Sequence, residues 1–338
     1  MQQWARFAIL GAMFVTAYLL ILAWQKDYGH AQPAPQQQAA AVTTHEVSAD
    51  LPNAQNATAA SDLPQANVTA SQTTEKPSVN QQLISVKTDL YHLWINPKGG
   101  DIVRVELLSH DESKDSEKPF VMLESDAKRT YVAQSGLIGL NGPDSSRSGR
   151  PTYDVEKTTY TLADAKSITT QDGKKQQVLT VPLVFKTPEG VEIIKSFTFT
   201  QGDYPITVKH QVINRSQQNW QGQMFGQLKR DNSDDPGKSS QGIFTLGTYL
   251  GGAWGTPEEH YNKLKFENFN DEKLNVEAKG GWVAIVQHYF VSAWIPGNLK
   301  LTQADGQPYT AKLESRQSTD GMNIIGFTSP VINVPAGT

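Results

Sequence analysis

Phe7 to Trp24, FAILGAMFVTAYLLILAW, runs without a single charged residue. A helix rises 1.5 Å per residue, so this run spans roughly 27 Å, close to the hydrocarbon thickness of a bilayer. Trp4, Tyr18 and Trp24 lie near its ends, where Trp and Tyr favour the interface. Arg6 precedes it, and no Lys or Arg occurs from Gly29 to Thr74. The sequence therefore predicts a membrane anchor over residues 1–27, with Phe7, Leu10, Phe14, Leu19, Leu22 and Trp24 facing lipid, the amino terminus inside and the remainder exported. A cleaved secretion signal is the alternative. Its apolar core is shorter, and Gly29-His30-Ala31, which could serve as a small-x-small cleavage site, lies several residues past the run.

The exported remainder is bounded by what it lacks. With no cysteine, disulfides, thiolate metal sites and cysteine nucleophiles are excluded. A net charge of −4 argues against a nucleic-acid partner, which needs a concentrated basic face. Residues 28–80 are rich in Ala, Gln, Thr and Pro, and from Gly29 on they hold no aromatic residue. They read as a disordered linker with a reach of roughly 40 Å.

From residue 81 the pattern is that of strands. Tyr91, Leu93 and Ile95 alternate with His92 and Trp94. The turn Asn96 to Asp101 leads to a second alternation at Val103, Val105 and Leu107. His92 falls on the solvated face. Val178–Lys186 and Val191–Thr200 flank Thr187-Pro188-Glu189-Gly190, a hairpin signal. Tyr204, Ile206, Val208, His210 and Val212 share one face of the next strand, where His210 reads as a core or rim histidine with a hydrogen-bond partner. Arg230 to Gln241 reads as an exposed polar loop. Pro236 stands where an EF-hand needs Gly, and Gly242 where it needs Glu. Trp282 to Ile295 fits either a helix stripe or two buried strands broken at Gln287-His288. Its β-branched and aromatic content favours strands. Trp254, Trp282, Tyr289 and Trp294 could line a groove there.

No zinc-protease, nucleotide-binding or serine-hydrolase motif occurs, and the seven histidines have no metal-ligand spacing. Carboxylates fall mostly in turns and loops, where solvation is the default. The residues alone give an anchored, exported β domain with no cofactor and no reaction.

Several ordered blocks then resemble one family: Leu83 to Asp89, Gly99-Gly100-Asp101, Gln134 to Leu137, Asn141-Gly142-Pro143-Asp144, Tyr153 to Lys157, Phe225 to Lys229, Lys279 to Ala284, Tyr289-Phe290 and Ala293 to Pro296. They are similar to the amino-terminal part of the YidC membrane-protein insertases of Gram-negative bacteria. That resemblance implies a mainly β fold, a twisted β-supersandwich similar to galactose-mutarotase-like folds, over residues 81–338. It implies a periplasmic domain on the bacterial inner membrane and a non-enzymatic role in inserting and folding nascent integral membrane proteins, alone or with the Sec translocon. It also implies contact with the SecDF accessory complex through Tyr249 to Pro296, where Tyr249, Trp254, Tyr261, Trp282, Tyr289 and Trp294 are the candidate contacts. Members of the family continue past this chain's last residue with a final strand, a linking helix and five membrane helices that receive substrates. A chain without them is expected to carry the anchor and the interaction domain but not insertion itself. The competing expectation is a carbohydrate-binding or aldose-epimerase-like domain, which needs an acid and a base facing one sugar ring.

Overall fold

The computed structural model describes Tyr18 and residues 82–114, 116–144, 149–170, 172–236, 249–296 and 310–338. The anchor residues Phe7, Leu10, Phe14, Leu19, Leu22 and Trp24 and the linker at 28–80 lie outside the described residues. Among the described residues no helix is long and apolar enough to cross a membrane. All the strands belong to the compact unit that begins at Glu46.

Among the described residues, twenty strands follow one another in chain order. The first seven are β1 (Ile84–Lys87), β2 (Tyr91–Asn96), β3 (Asp101–Asp111), β4 (Pro119–Ser125), β5 (Thr130–Ile138), β6 (Asp154–Val155) and β7 (Thr159–Thr161). The next seven are β8 (Lys166–Thr169), β9 (Lys175–Lys186), β10 (Val191–Thr200), β11 (Ile206–Asn214), β12 (Trp220–Arg230), β13 (Gly251–Gly255) and β14 (Asn262–Lys265). The last six are β15 (Asn275–Lys279), β16 (Trp282–Val286), β17 (Val291–Trp294), β18 (Thr310–Gln317), β19 (Asn323–Thr328) and β20 (Ile332–Val334). They form an eleven-stranded sheet, β15-β18-β19-β12-β5-β4-β3-β2-β1-β7 with β20 joined to β12, a five-stranded sheet built on β11-β10-β9, and a four-stranded sheet β14-β13-β16-β17. The mainly β, sandwich-like architecture is the one expected.

Alternation explains the layering. Along β10, Val191, Ile193, Lys195, Phe197 and Phe199 are buried, while the residues between them are half-exposed. Along β2, Tyr91, Leu93 and Ile95 are buried in the same way. The two rows join one hydrophobic core, where Tyr91 and Phe199 meet edge to face at 6.1 Å. The hairpin of β9 and β10 and the break at Gln287-His288 between β16 and β17 stand where the alternation places them.

The four-stranded sheet packs on the far part of the large sheet, where Trp294 of β17 meets Phe327 of β19 at 6.2 Å. The two layers approach closely at Gly226 of β12. A Cβ there would lie 2.9 Å from the Trp294 ring and nearer still to Phe327. Gly226→Ala is therefore expected to lower stability by about 1–3 kcal/mol through overpacking, read as a shift in urea midpoint at unchanged slope.

Candidate functional site

The predicted contact stretch supplies all four strands of the four-stranded sheet. Cross-strand partners share a face, so register sorts its residues. On the outward face, Gly251 and Ala253 of β13 pair with Lys265 and Lys263 on one side and with Val286 and Ala284 on the other; Gly255 pairs with Trp282. Val286 and Ala284 continue the face to Val291 and Ala293 of β17. The glycines of β13 let aromatic rings lie flat against the sheet. A Cβ on Gly251 would meet the Tyr249 hydroxyl at 2.6 Å, and one on Gly255 would meet the Trp282 indole at 2.7 Å. Tyr261 packs on Trp282 at 6.0 Å, and the Lys263 ammonium sits 4.8 Å from the Tyr249 ring.

Of the six candidate contacts, Tyr249, Tyr261 and Trp282 thus tile one outward face. Tyr289 stands at its border in the β16–β17 turn and is 79% exposed. Trp254 and Trp294 point the other way and pack against the core. The same register adds residues that the aromatic pattern missed. Val291, at 59% exposed, and Ile295, at 70%, extend the face along β17, an edge strand of its sheet among the described residues. The signal was in the sequence: Tyr289, Val291, Ala293 and Ile295 are every second residue, so if Phe290 and Trp294 face inward these face out.

Beside Tyr289 lies a cleft of ≈ 600 Å³, walled by His110, Phe120, Asp235, Gln287, Tyr289 and Phe290. Phe120 and Phe290 stack at 4.3 Å, and His110 meets Phe290 edge-on at 5.3 Å. The cleft bears on the epimerase alternative, which needs a histidine and a carboxylate within hydrogen-bond reach. Of the carboxylates that line it, Asp235 is already held by Arg230 at 2.6 Å and by the Gln287 amide, while Asp111 and Glu112 make no bond to a histidine among the described residues. Among the described residues neither His110 nor His288 bonds a carboxylate; the one histidine side-chain bond joins His92 to Ser85 at 2.7 Å. Among the described residues no group of acidic and histidine side chains is placed to hold a metal ion.

Three expectations need correction, and a fourth has exceptions. The segment from Arg230 is not simply an exposed loop: Arg230 is wholly buried against the Tyr131 ring at 4.9 Å and ties Asp235 inward. His92 is half-buried and stacks on Trp94 at 3.8 Å rather than standing free in solvent. His210 lies on the apolar row, but both its ring nitrogens are buried without a hydrogen-bond partner. The carboxylates are not all solvated, since Asp101 and Asp144 are buried.

Those two aspartates belong to an ion cluster that no sequence motif announces, lodged at the seam between the large and the five-stranded sheets. Arg150 bridges them, touching Asp101 closely and Asp144 at 3.0 Å, and it donates to the Gly99 and Ser135 carbonyls at 3.1 and 3.0 Å. Lys195, in the core row of β10, donates to the same two carbonyls at 2.9 and 2.8 Å. Gly99 and Gly100 turn there at φ +80° and +63°, conformations that also leave no room for a side chain beside Arg150 and Lys195. The Asp144 carboxylate accepts the Leu137 amide at 2.8 Å, on the spot a Cβ of Gly136 would fill. Burial pushes the Asp144 carboxyl up to about 6, against the pull of Arg150, and pushes the Lys195 ammonium down to about 7.

Comparison with known proteins gives this architecture a lineage. A family model described as the YidC periplasmic domain matches residues 83–338. A membrane protein insertase YidC of Pseudomonas putida (strain GB-1) is 40% identical over 334 residues, covering 98% of this chain and 56% of the relative. One of Stutzerimonas stutzeri (strain A1501) is 41% identical over 337 residues, with the same two coverages. The chain thus spans little more than half the length of the curated relatives it matches. Among solved structures, a galactose mutarotase related enzyme of Lactobacillus acidophilus aligns at a TM-score of 0.43 with 10% identity, over 76% of this chain and 93% of that one. The blocks singled out in the sequence from Leu83 to Pro296 all fall inside the matched residues, and the chain belongs to the YidC periplasmic-domain family.

Proposed function

We propose that this chain is the anchored, periplasmic interaction part of a bacterial inner-membrane insertase, and that it acts by docking rather than by catalysis. The observation that carries the reading is the family match over residues 83–338, joined to about 40% identity with insertases along nearly the whole chain. In this reading Phe7–Trp24 holds the chain in the bilayer with its amino terminus in the cytoplasm, and residues 28–80 tether the domain at residues 81–338. Nascent integral membrane proteins are the clients of the whole insertase. The SecDF complex, with the Sec translocon, is the partner of the outward face made by Tyr249, Tyr261, Trp282, Tyr289, Val291 and Ile295. Support for that face is physical. It gathers aromatic and aliphatic side chains that the core does not use, on a strand edge whose backbone can pair with another chain.

The test keeps the fold intact. Tyr289, Val291 and Ile295 are exposed enough that changing all three to serine is expected to alter stability by only about 0.5 kcal/mol each. SecDF is expected to co-purify with the full chain from detergent-solubilised membranes, and its recovery is expected to fall at least about tenfold with the triple variant. Equal recovery from two chains with matching circular dichroism removes this face from the reading.

A further inference from the structure

The seam cluster is placed where it can govern how firmly the two sheets are held. Lys195 comes from the five-stranded sheet. The Gly99 and Ser135 carbonyls, Asp101, and the Asp144–Arg150 pair come from the large sheet and the connections that leave its strands. The charged and titratable groups around Lys195 are Asp101 at the start of β3, Asp144 after β5, Arg150 and Tyr153 before β6, and His210 directly across from it on β11. Lys195 meets two carbonyls and no carboxylate at hydrogen-bond distance, so its charge is solvated only by dipoles. The Tyr153 hydroxyl, both His210 nitrogens and Arg150 Nε are buried without a hydrogen-bond partner. In this two-cation, two-anion set Asp101 is satisfied by Arg150 and the Gln134 amide, whereas Lys195 is held by carbonyls and one Asp144 oxygen has no hydrogen bond, so any opening of the seam that admits water favours the charged forms of these two.

We propose that Asp144, Arg150 and Lys195, with Asp101 and His210 beside them, form a proton-sensitive latch between the two sheets, loosest near neutral pH and firmer on either side. The direction comes from burial. Lys195 is depressed from its ordinary 10.5 to about 7. Its contribution to stability is present above the ordinary lysine range and is lost as the pH falls towards about 7. Asp144 is raised from 3.8 to about 6. Its contribution is present below the ordinary carboxyl range and is lost as the pH rises through about 6. Where the carboxyl is ionised and the lysine is charged at once, neither contribution remains. His210, opposite Lys195 and Arg150, is pushed well below its ordinary value first by burial and then by those two charges, so it stays neutral through this window and adds no third step.

The experiment is denaturant unfolding of the full 338-residue chain from pH 4.5 to 9.5, for wild type, Lys195→Met and Asp144→Asn. The wild-type unfolding constant, divided by that of Lys195→Met, is expected to rise at least about tenfold from pH 9 to pH 6.5, and divided by that of Asp144→Asn to fall at least about tenfold from pH 6.5 to pH 4.5. Ratios flat with pH overturn the proposal. Should either variant fail to fold, the wild type alone decides. The Lys195 ammonium, followed by nitrogen NMR, is expected to titrate at least two pH units below an ordinary lysine, and a midpoint at the ordinary value overturns the latch.

Discussion

Replacing Asp144 by alanine is expected to lower the stability of the domain by about 3–5 kcal/mol at neutral pH, the loss typical of breaking one partner out of a buried ionic set. Three effects add. Arg150 and Lys195 are left with Asp101 as the single carboxylate beside them. The Leu137 amide loses its acceptor. The space beside Gly136, shaped around the carboxylate, is left unfilled. Asp144→Asn keeps an acceptor for Leu137 and is expected to lose distinctly less. Urea unfolding followed by tryptophan fluorescence measures both. If alanine proved no worse than asparagine, the loss would come from charge alone and the geometric account of this loop would fail.

Phe269→Ala is expected to cost a similar amount, about 3–5 kcal/mol, for a different reason. Phe269 is fully buried and fills the hollow left by Gly252 of β13, where a Cβ would lie 2.8 Å from its ring and 3.2 Å from Ile325 of β19. It meets Phe266 edge to face at 5.4 Å. Its removal opens a cavity between the four-stranded sheet and the large sheet. Thermal unfolding is the measurement, with a midpoint drop well beyond that of Gly226→Ala expected. A paired Gly252→Ala, Phe269→Ala variant tests the geometry, because the added methyl enters the space the ring vacates and is expected to recover part of the loss.

Much of the sandwich was legible because its strands obey a period of two. The β2, β9–β10, β11 and β16–β17 segments were readable from alternation, and the order of blocks pointed to the family. The assembly of the seam was not. Lys195 could have been suspected as the one charged member of an otherwise apolar row from Val191 to Phe199, as His210 was on the neighbouring strand. The β10–β11 hairpin sets Lys195 across from His210 by its own turn, but nothing in the chain says that Asp144 and Arg150 close over the same spot. That juxtaposition depends on long-range packing, which local periodicity does not carry. The outward face shows the same limit. Aromatic content marked Trp254 and Trp294 alongside Tyr249 and Trp282, yet pleat and register send the first pair into the core and the second outward.

Strand β12 is bordered by β5 on one side and, on the other, by β19 along one part of its length and β20 along the rest. Trp220 pairs with Val334, and Arg230 with Asn323. During synthesis the chain emerges from its amino terminus, so β5 is available to β12 at once while the opposite side waits for residues 323–334. Throughout that interval β12, buried along most of its length, has one row of amides and carbonyls open. Closure of so non-local a pairing is slow by its loop entropy. A nascent chain stalled before residue 323 is thus an exposed β-template, and the emergence of β19 and β20 marks the moment at which the domain stops being a hazard to its neighbours.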